Sequence, residues 1–152
     1  MGSPEHTAPL AAIGREIKWA LNDSELARRA DDERLSGVYG TIIFDDLGDT
    51  EHGPHQRNVA VFADGRVDRS PCGSGTAARL ALLADSGRLG PNQVLTHDSI
   101  IGTRFIERVR LSAGHDSRRA IIPEVEGMAY KTGEHTFGLE SGDPVETGFL
   151  LQ

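Results

Sequence analysis

The stretch from Thr76 to Ser86 contains Ala77, Ala78, Leu80, Ala81, Leu82, Leu83 and Ala84, broken only by Arg79 and Asp85 near its ends. A helix apolar almost all round is normally buried on all sides. Gly87 follows it, in the position where a residue of positive φ ends a helix. The rest of the chain must therefore supply a layer that encloses this helix.

The neighbouring segments favour strands. Val38-Tyr39-Gly40-Thr41-Ile42-Ile43-Phe44 is rich in β-branched and aromatic residues, and Arg57-Asn58-Val59-Ala60-Val61-Phe62 reads the same way. Between them, Gly48 to Gln56 reads as a polar loop. Asp64-Gly65 is a hairpin turn signal, after which Val67 and Asp68 resume a strand. Further strands are expected at Gln93–His97, Arg104–Leu111, Arg119–Tyr130 and Glu134–Leu139, with a turn at 112–116. The last segment, Asp143 to Gln152, is expected to return as an apolar strand through Phe149, Leu150 and Leu151.

Thr7 to Asn22 reads as an amphipathic helix capped by Thr7. Leu10, Ile13, Ile17 and Leu21 form its apolar stripe, and Arg15, Glu16, Lys18 and Asn22 face away. Asp23 to Arg34 is a charged stretch, either a short helix or a solvated linker. The expected fold class is α+β: a mostly antiparallel sheet wrapped around a central buried helix.

Composition removes several classes of function. A net charge of −7 over 152 residues disfavours binding to nucleic acid or to an anionic membrane surface. No apolar run approaches the ~20 residues that span a bilayer, and the N-terminus lacks the pattern of a secretory signal. The single cysteine forms no internal disulfide and no Cys-x-x-Cys site, so a reducing cytoplasm is expected. His52 and His55 have a metal-like spacing, but Gly53 and Pro54 between them argue for a solvated loop. His97, His115 and His135 are isolated in sequence. No metal site is expected.

Chemistry concentrates just before the apolar helix, in Asp68-Arg69-Ser70-Pro71-Cys72-Gly73-Ser74-Gly75. The free amides of a helix's first turn favour negative charge, thiolate included, so Cys72 stands where a thiol can be reactive. The amides of Gly73, Ser74 and Gly75 can receive a carboxylate, because glycine lets a ligand approach the backbone. Asp68 can hold a cationic amine. Together they describe an amino-acid site with the thiol placed for exchange of a Cα proton. Each element also has a plainer reading: Gly73-Ser74-Gly75 as a tight turn, Asp68 as a surface partner of Arg66 or Arg69, Cys72 as a small buried apolar residue. Ser70 and Ser74 lie in no Gly-x-Ser-x-Gly elbow, and no Gly-x-x-x-x-Gly-Lys loop is present.

Asp68 to Arg79 closely resembles the signature around the second catalytic cysteine of the proline racemase family, which includes proline racemases, hydroxyproline epimerases and trans-3-hydroxy-L-proline dehydratases. Leu10 to Leu21, Val38 to Phe44, Asn58 to Ala63, Glu124 to Tyr130, Thr132-Gly133 and Asp143-Pro144 to Gly148-Phe149 match the same family. The resemblance implies that residues 1–152 form the C-terminal-half domain of such a protein, one half of the diaminopimelate epimerase-like two-domain fold. Residues 143–152 would return to the other domain. It further implies racemisation or epimerisation of proline or hydroxyproline at Cα, without cofactor, by a two-cysteine mechanism. Cys72 would be the second cysteine, Asp68 the contact to the ring nitrogen, and the Gly73 and Ser74 amides the carboxylate site.

The family's first cysteine lies in a Met-Cys-Gly-His type motif that this sequence lacks. Catalysis would therefore need a complementing N-terminal half or a homo-oligomer. A non-catalytic imino-acid-binding domain is the alternative. Tyr39-Gly40-Thr41-Ile42 and Val61-Phe62-Ala63-Asp64 look like the dehydratase branch, which carries Thr where this chain has Cys72. That makes dehydration the runner-up chemistry.

Overall fold

The computed structural model describes residues 4–29, 32–115, 118–145 and 148. Two helices, α1 (Thr7–Asn22) and α2 (Gly73–Asp85), accompany the strands β1 (Gly40–Thr50), β2 (Gly53–Phe62), β3 (Arg66–Val67), β4 (Leu95–Ser99), β5 (Arg104–His115) and β6 (Arg118–Gly127). Among the described residues the strands form one sheet in the order β1-β2-β4-β5-β6, with β3 paired to β2. Every pairing is antiparallel except β2 with β4. This is the expected α+β class.

Side chains alternate across a strand, and the two helices use the two faces of β2. Val59 and Val61 pack with Leu10 of α1 and with Ile100. Gln56 and Asn58 point the other way, toward α2. There Leu80, Leu83, Leu89 and Leu95 form a second cluster, joined by Val109 of β5 and Ile121 of β6. Leu80, Leu83 and Leu95 are essentially inaccessible, and each such side chain stabilises the fold by about 1.5–3 kcal/mol. The sheet wraps α2 from its other end as well. The Arg79 guanidinium lies 3.9 Å from the centre of the Phe44 ring on β1, and its Nε donates to Gln56 Oε1 at 2.8 Å. One face of α2 stays open, where Leu82 is 62% exposed, so the helix is not enclosed on all sides.

Several sequence expectations shift. The Gly48–Gln56 segment is not a loop: β1 runs to Thr50, and β2 begins at Gly53 with Thr50 opposite it. Pairing of β2 with both β1 and β4 gives these polar residues a ladder that their propensities do not announce. The expected turn at 112–116 is replaced by continued β5–β6 pairing as far as His115 opposite Arg118. Glu134–Leu139 forms no strand, because β6 ends at Gly127 opposite Phe105 and no neighbouring strand continues there. The apolar strand expected through Phe149, Leu150 and Leu151 lies outside the described residues.

In α1, Leu10 and Gly14 make the buried row, while Ile13 and Ile17 are 47% and 42% exposed. Gly14 explains the rotation. A Cβ there would lie 2.7 Å from Thr41 Oγ1 and 2.8 Å from Val61, so only glycine lets the helix come this close to the sheet. Lys18 and Asn22 therefore turn inward: Lys18 Nζ donates to the Ala63 carbonyl, and Asn22 bonds both the N–H and the C=O of Val38. Thr7 is the first residue of the helix. His6 holds the cap position, without a side-chain cap. The charged stretch after α1 holds two short 3-10 turns, Glu25–Ala27 and Glu33–Leu35. No helix among the described residues is long and apolar enough to cross a membrane.

Beneath α2 the sheet carries a buried polar row: Gln56 on β2, His97 on β4 and Glu107 on β5, all fully inaccessible. Among the described residues, His97 Nε2 and both Glu107 carboxyl oxygens lack hydrogen-bond partners. Burial, helped by the nearby Arg79 charge, lowers the His97 pKa from 6.5 to about 4. Burial alone raises the Glu107 pKa from 4.5 to about 7.

The two groups act on stability with opposite sign. His97 binds fewer protons folded than unfolded, so its contribution is lost as pH falls from about 6.5 to 4. Glu107 binds more protons folded, so its contribution is lost as pH rises from about 4.5 to 7. Each shift corresponds to about 3 kcal/mol, and the slopes cancel where the windows overlap. Urea midpoints measured against pH should therefore unmask one slope at a time. Glu107→Gln should gain stability from pH 4 to 6.5, whereas His97→Asn should lose it from pH 4.5 to 7. Parallel curves for both variants would contradict this.

A second expectation concerns the helix–strand contact. A Cβ on Gly75 would fall on the Cδ1 methyl of Ile42. Gly75→Ala should destabilise by about 1–3 kcal/mol through overpacking. Ile42→Val, which removes that methyl, should restore most of the lost melting temperature.

Candidate active site

α2 begins at Gly73, three residues earlier than the apolar run implies, which makes Cys72 its N-cap. The Thr76 N–H donates to the Cys72 carbonyl at 2.9 Å as the first helical bond. The amides of Gly73, Ser74 and Gly75 thus have no intrahelical acceptors. Cys72 itself adopts φ 67°, ψ 115°. For a residue other than glycine such a conformation costs about 1–3 kcal/mol, and it persists only where the surroundings impose it.

The surroundings do impose it. Asp68 Oδ1 accepts from the Ser70 N–H at 2.9 Å and from the Ser70 hydroxyl at 3.1 Å. Ser70 Oγ in turn accepts from the Cys72 N–H at 3.1 Å. On the other side, the buried Pro71 carbonyl accepts from Asn58 Nδ2 at 2.8 Å and from Thr76 Oγ1 at 3.1 Å. The thiol is half-buried, with its Sγ 3.7 Å from Ser74 Oγ.

Asp68, Cys72, Ser74 and Gly75 form the polar end of an open groove of about 480 Å³. Tyr39, Ile42 and Phe62 supply an apolar wall, with the Tyr39 and Phe62 rings stacked 6.1 Å apart. Three of the four residues that the sequence nominates therefore meet in one place. Gly73 does not line the groove, although the space beside it is open. Asp68 makes no ion pair with Arg66 or Arg69 among the described residues; it serves Ser70.

Sequence reasoning missed Ser70 as the bridge between Asp68 and Cys72, although Asp-x-Ser is a turn signal in which the aspartate accepts from the backbone two residues on. It also missed Asn58, Thr76 and His97, whose strand and helix positions carry no local mark of a shared contact. The histidines divide differently from expectation. His52 is exposed beside Glu51, but His55 lies within β2 and bonds Asp98 Oδ2 at 2.8 Å, a carboxylate also held by Arg104. The Asp98 pKa stays below the usual carboxylate range: these bonds outweigh its burial, the largest single influence, which pushes the other way. His97 is buried against Thr76. Among the described residues no group of three His, Cys, Asp or Glu side chains could hold a metal ion.

Known proteins are similar to this chain in sequence, and solved structures are similar to it in fold. A trans-3-hydroxy-L-proline dehydratase of Bacillus thuringiensis subsp. konkukian is 38% identical over 91% of this chain and 41% of its own length. A proline racemase of Acetoanaerobium sticklandii is 36% identical over 93% of this chain and 42% of its own. The crystal structure of a hydroxyproline epimerase from Agrobacterium vitis with bound trans-4-hydroxy-L-proline superimposes on 99% of this chain and 42% of that one, with a TM-score of 0.80 and 30% identity. This chain thus spans about 42% of the length of such relatives. The proline racemase family model runs across residues 3–150, from α1 through the Cys72 corner and β6 to the C-terminal segment, and the chain belongs to that family.

Proposed function

We propose that this chain supplies the second acid/base half of a site that racemises or epimerises proline or hydroxyproline at Cα without a cofactor. The convergence of Cys72, Asp68, Ser74 and Gly75 on one groove, at the N-terminus of α2, carries the reading. In this reading the amides of Gly73 and Ser74 receive the substrate carboxylate, where the helix N-terminus favours negative charge. Asp68 Oδ1 is engaged by Ser70, and the second carboxylate oxygen is left to bind the ring ammonium. The apolar wall of Tyr39, Ile42 and Phe62 packs the pyrrolidine ring and excludes water.

Cys72 then moves a proton. As thiolate it takes the Cα hydrogen, and as thiol it returns one to the planar carbanion. A Cα–H is weakly acidic, so the reaction needs the carboxylate's developing charge stabilised by the amides. Inversion needs a second acid/base on the opposite face of Cα. That group would come from a complementing half, and residues 143–152 would pack against it. The full site is then a property of the pair, in keeping with the fraction of its relatives' length that this chain spans.

Dehydration of trans-3-hydroxy-L-proline is the second reading, favoured by the relatives that bear that name. It needs Cα deprotonation and loss of the ring hydroxyl, but no reprotonation by Cys72.

The test pairs this chain with an N-terminal half that carries a Met-Cys-Gly-His type motif. Proton NMR in deuterated water should show α-proton exchange of L-proline or trans-4-hydroxy-L-proline, with the inverted isomer as product. Cys72→Ala should lower the rate by about 100-fold or more. The chain alone should bind planar pyrrole-2-carboxylate by calorimetry with little turnover. An undiminished rate in Cys72→Ala would exclude the reading.

A further inference from the structure

We infer that Thr76 and His97 are positioning residues for Cys72. They form a buried relay that clamps the Pro71–Cys72 peptide and keeps the thiol turned into the groove. The inference rests on the reading of Cys72 as the reactive group, but its geometry stands independently.

Thr76 bonds the carbonyls of both peptide groups that flank the Cys72 Cα. Its hydroxyl reaches the Pro71 oxygen at 3.1 Å, and its N–H reaches the Cys72 oxygen at 2.9 Å. The threonine hydroxyl has a single proton, and a carbonyl can only accept, so that proton lies toward Pro71. His97 Nδ1 sits 3.0 Å from the same Thr76 oxygen. It must then be the protonated ring nitrogen and donate to Thr76.

Asn58 Nδ2 is 3.5 Å from His97 Nδ1, at the limit of a hydrogen bond. Its 2.8 Å bond to Pro71 adds a second donor to the same carbonyl, and because an amide nitrogen only donates, Thr76 Oγ1 is the acceptor for the ring N–H. The ring is neutral in the folded chain, because burial drives its pKa down to about 4. The relay therefore runs in one direction: His97 N–H to Thr76, and Thr76 O–H to Pro71. With Thr76 and His97 both fully inaccessible, solvent cannot substitute for either bond.

A purely structural role predicts only lost stability. A positioning role also predicts a change at the thiol and rescue by the donor alone. Thr76→Val keeps the volume and loses the hydroxyl, while Thr76→Ser keeps the hydroxyl. His97→Leu fills the site without a donor, while His97→Asn puts an amide N–H near the Nδ1 position. Cys72 is the only cysteine, so alkylation by iodoacetamide reports on it alone.

The full chain, shown folded by circular dichroism, is alkylated between pH 6 and 9, and hydrogen exchange of the Cys72 amide is followed in parallel. In Thr76→Val and His97→Leu the exchange should quicken and the alkylation slow, each by about tenfold, the scale of one buried hydrogen bond. Thr76→Ser and His97→Asn should stay within about twofold of the parent chain, since each retains the donor. Unchanged Cys72 exchange in folded Thr76→Val and His97→Leu overturns the relay. Equal loss in the donor-keeping variants overturns it too, in favour of a packing role. A parent chain inert to iodoacetamide but showing the expected exchange pattern keeps the relay and removes the reactive-thiol reading instead.

Discussion

The Pro71 carbonyl is the point on which the corner turns. It is buried, and it takes hydrogen bonds from Asn58 on β2 and Thr76 on α2. A buried carbonyl left unpaired costs about 1–3 kcal/mol, so helix and strand are held to one relative position by their shared obligation to this oxygen. The same bonds fix the peptide that leads into Cys72. Backbone strain at Cys72, the start of α2 and the direction of the thiol therefore depend on a few buried donors. The apolar clusters hold the sheet and helices together through contacts that have no direction of their own. The polar contacts set the register of α2 against the sheet.

Much of this was legible in the sequence, and the parts that were not share a cause. α1 and the Asp64-Gly65 turn follow from local chemistry, and so do Gly87 as a helix stop at φ 72° and the collection of Asp68, Cys72 and Ser74 at one corner. Period, propensity and turn residues act within a few positions of themselves. The misread segments depend on distant partners. Gly53 to Gln56 looks like a loop until β4, about forty residues later, supplies a strand beside it. Glu134–Leu139 looks like a strand, yet no strand continues beside it. Ile13 and Ile17 look like core, and the absence of a side chain at Gly14 moves the contact row away from them. His97 looks isolated because its partner, Thr76, lies 21 residues earlier.

The buried row under α2 extends the same logic to charge. Gln56, His97 and Glu107 lie on one face of three strands, where a less specific core would place aliphatic residues. Burial holds His97 neutral at neutral pH and favours the neutral form of Glu107 up to its raised pKa of about 7. A charged His97 would have to donate from both nitrogens, and its Nε2 has no acceptor among the described residues. Neutral polar groups can impose hydrogen-bond direction without the larger desolvation cost of ions. Asp68 lies instead at the half-exposed corner, where its Oδ1 accepts from the Ser70 N–H and hydroxyl.

Position 72 also bears on which branch of chemistry the scaffold suits. With φ at 67°, a β-branched residue would be a steric outlier, because its second Cβ substituent crowds the backbone in that region. Cysteine has one substituent on Cβ and tolerates the conformation better than threonine would. A thiol is also a far stronger acid than a threonine hydroxyl, so it can carry a proton in both directions near neutral pH. Backbone geometry and side-chain chemistry thus favour the same residue at this point. The conformation that disfavours a β-branched residue at 72 is imposed on its backbone from both sides, by Ser70 Oγ on the Cys72 N–H and by Asn58 and Thr76 on the Pro71 carbonyl.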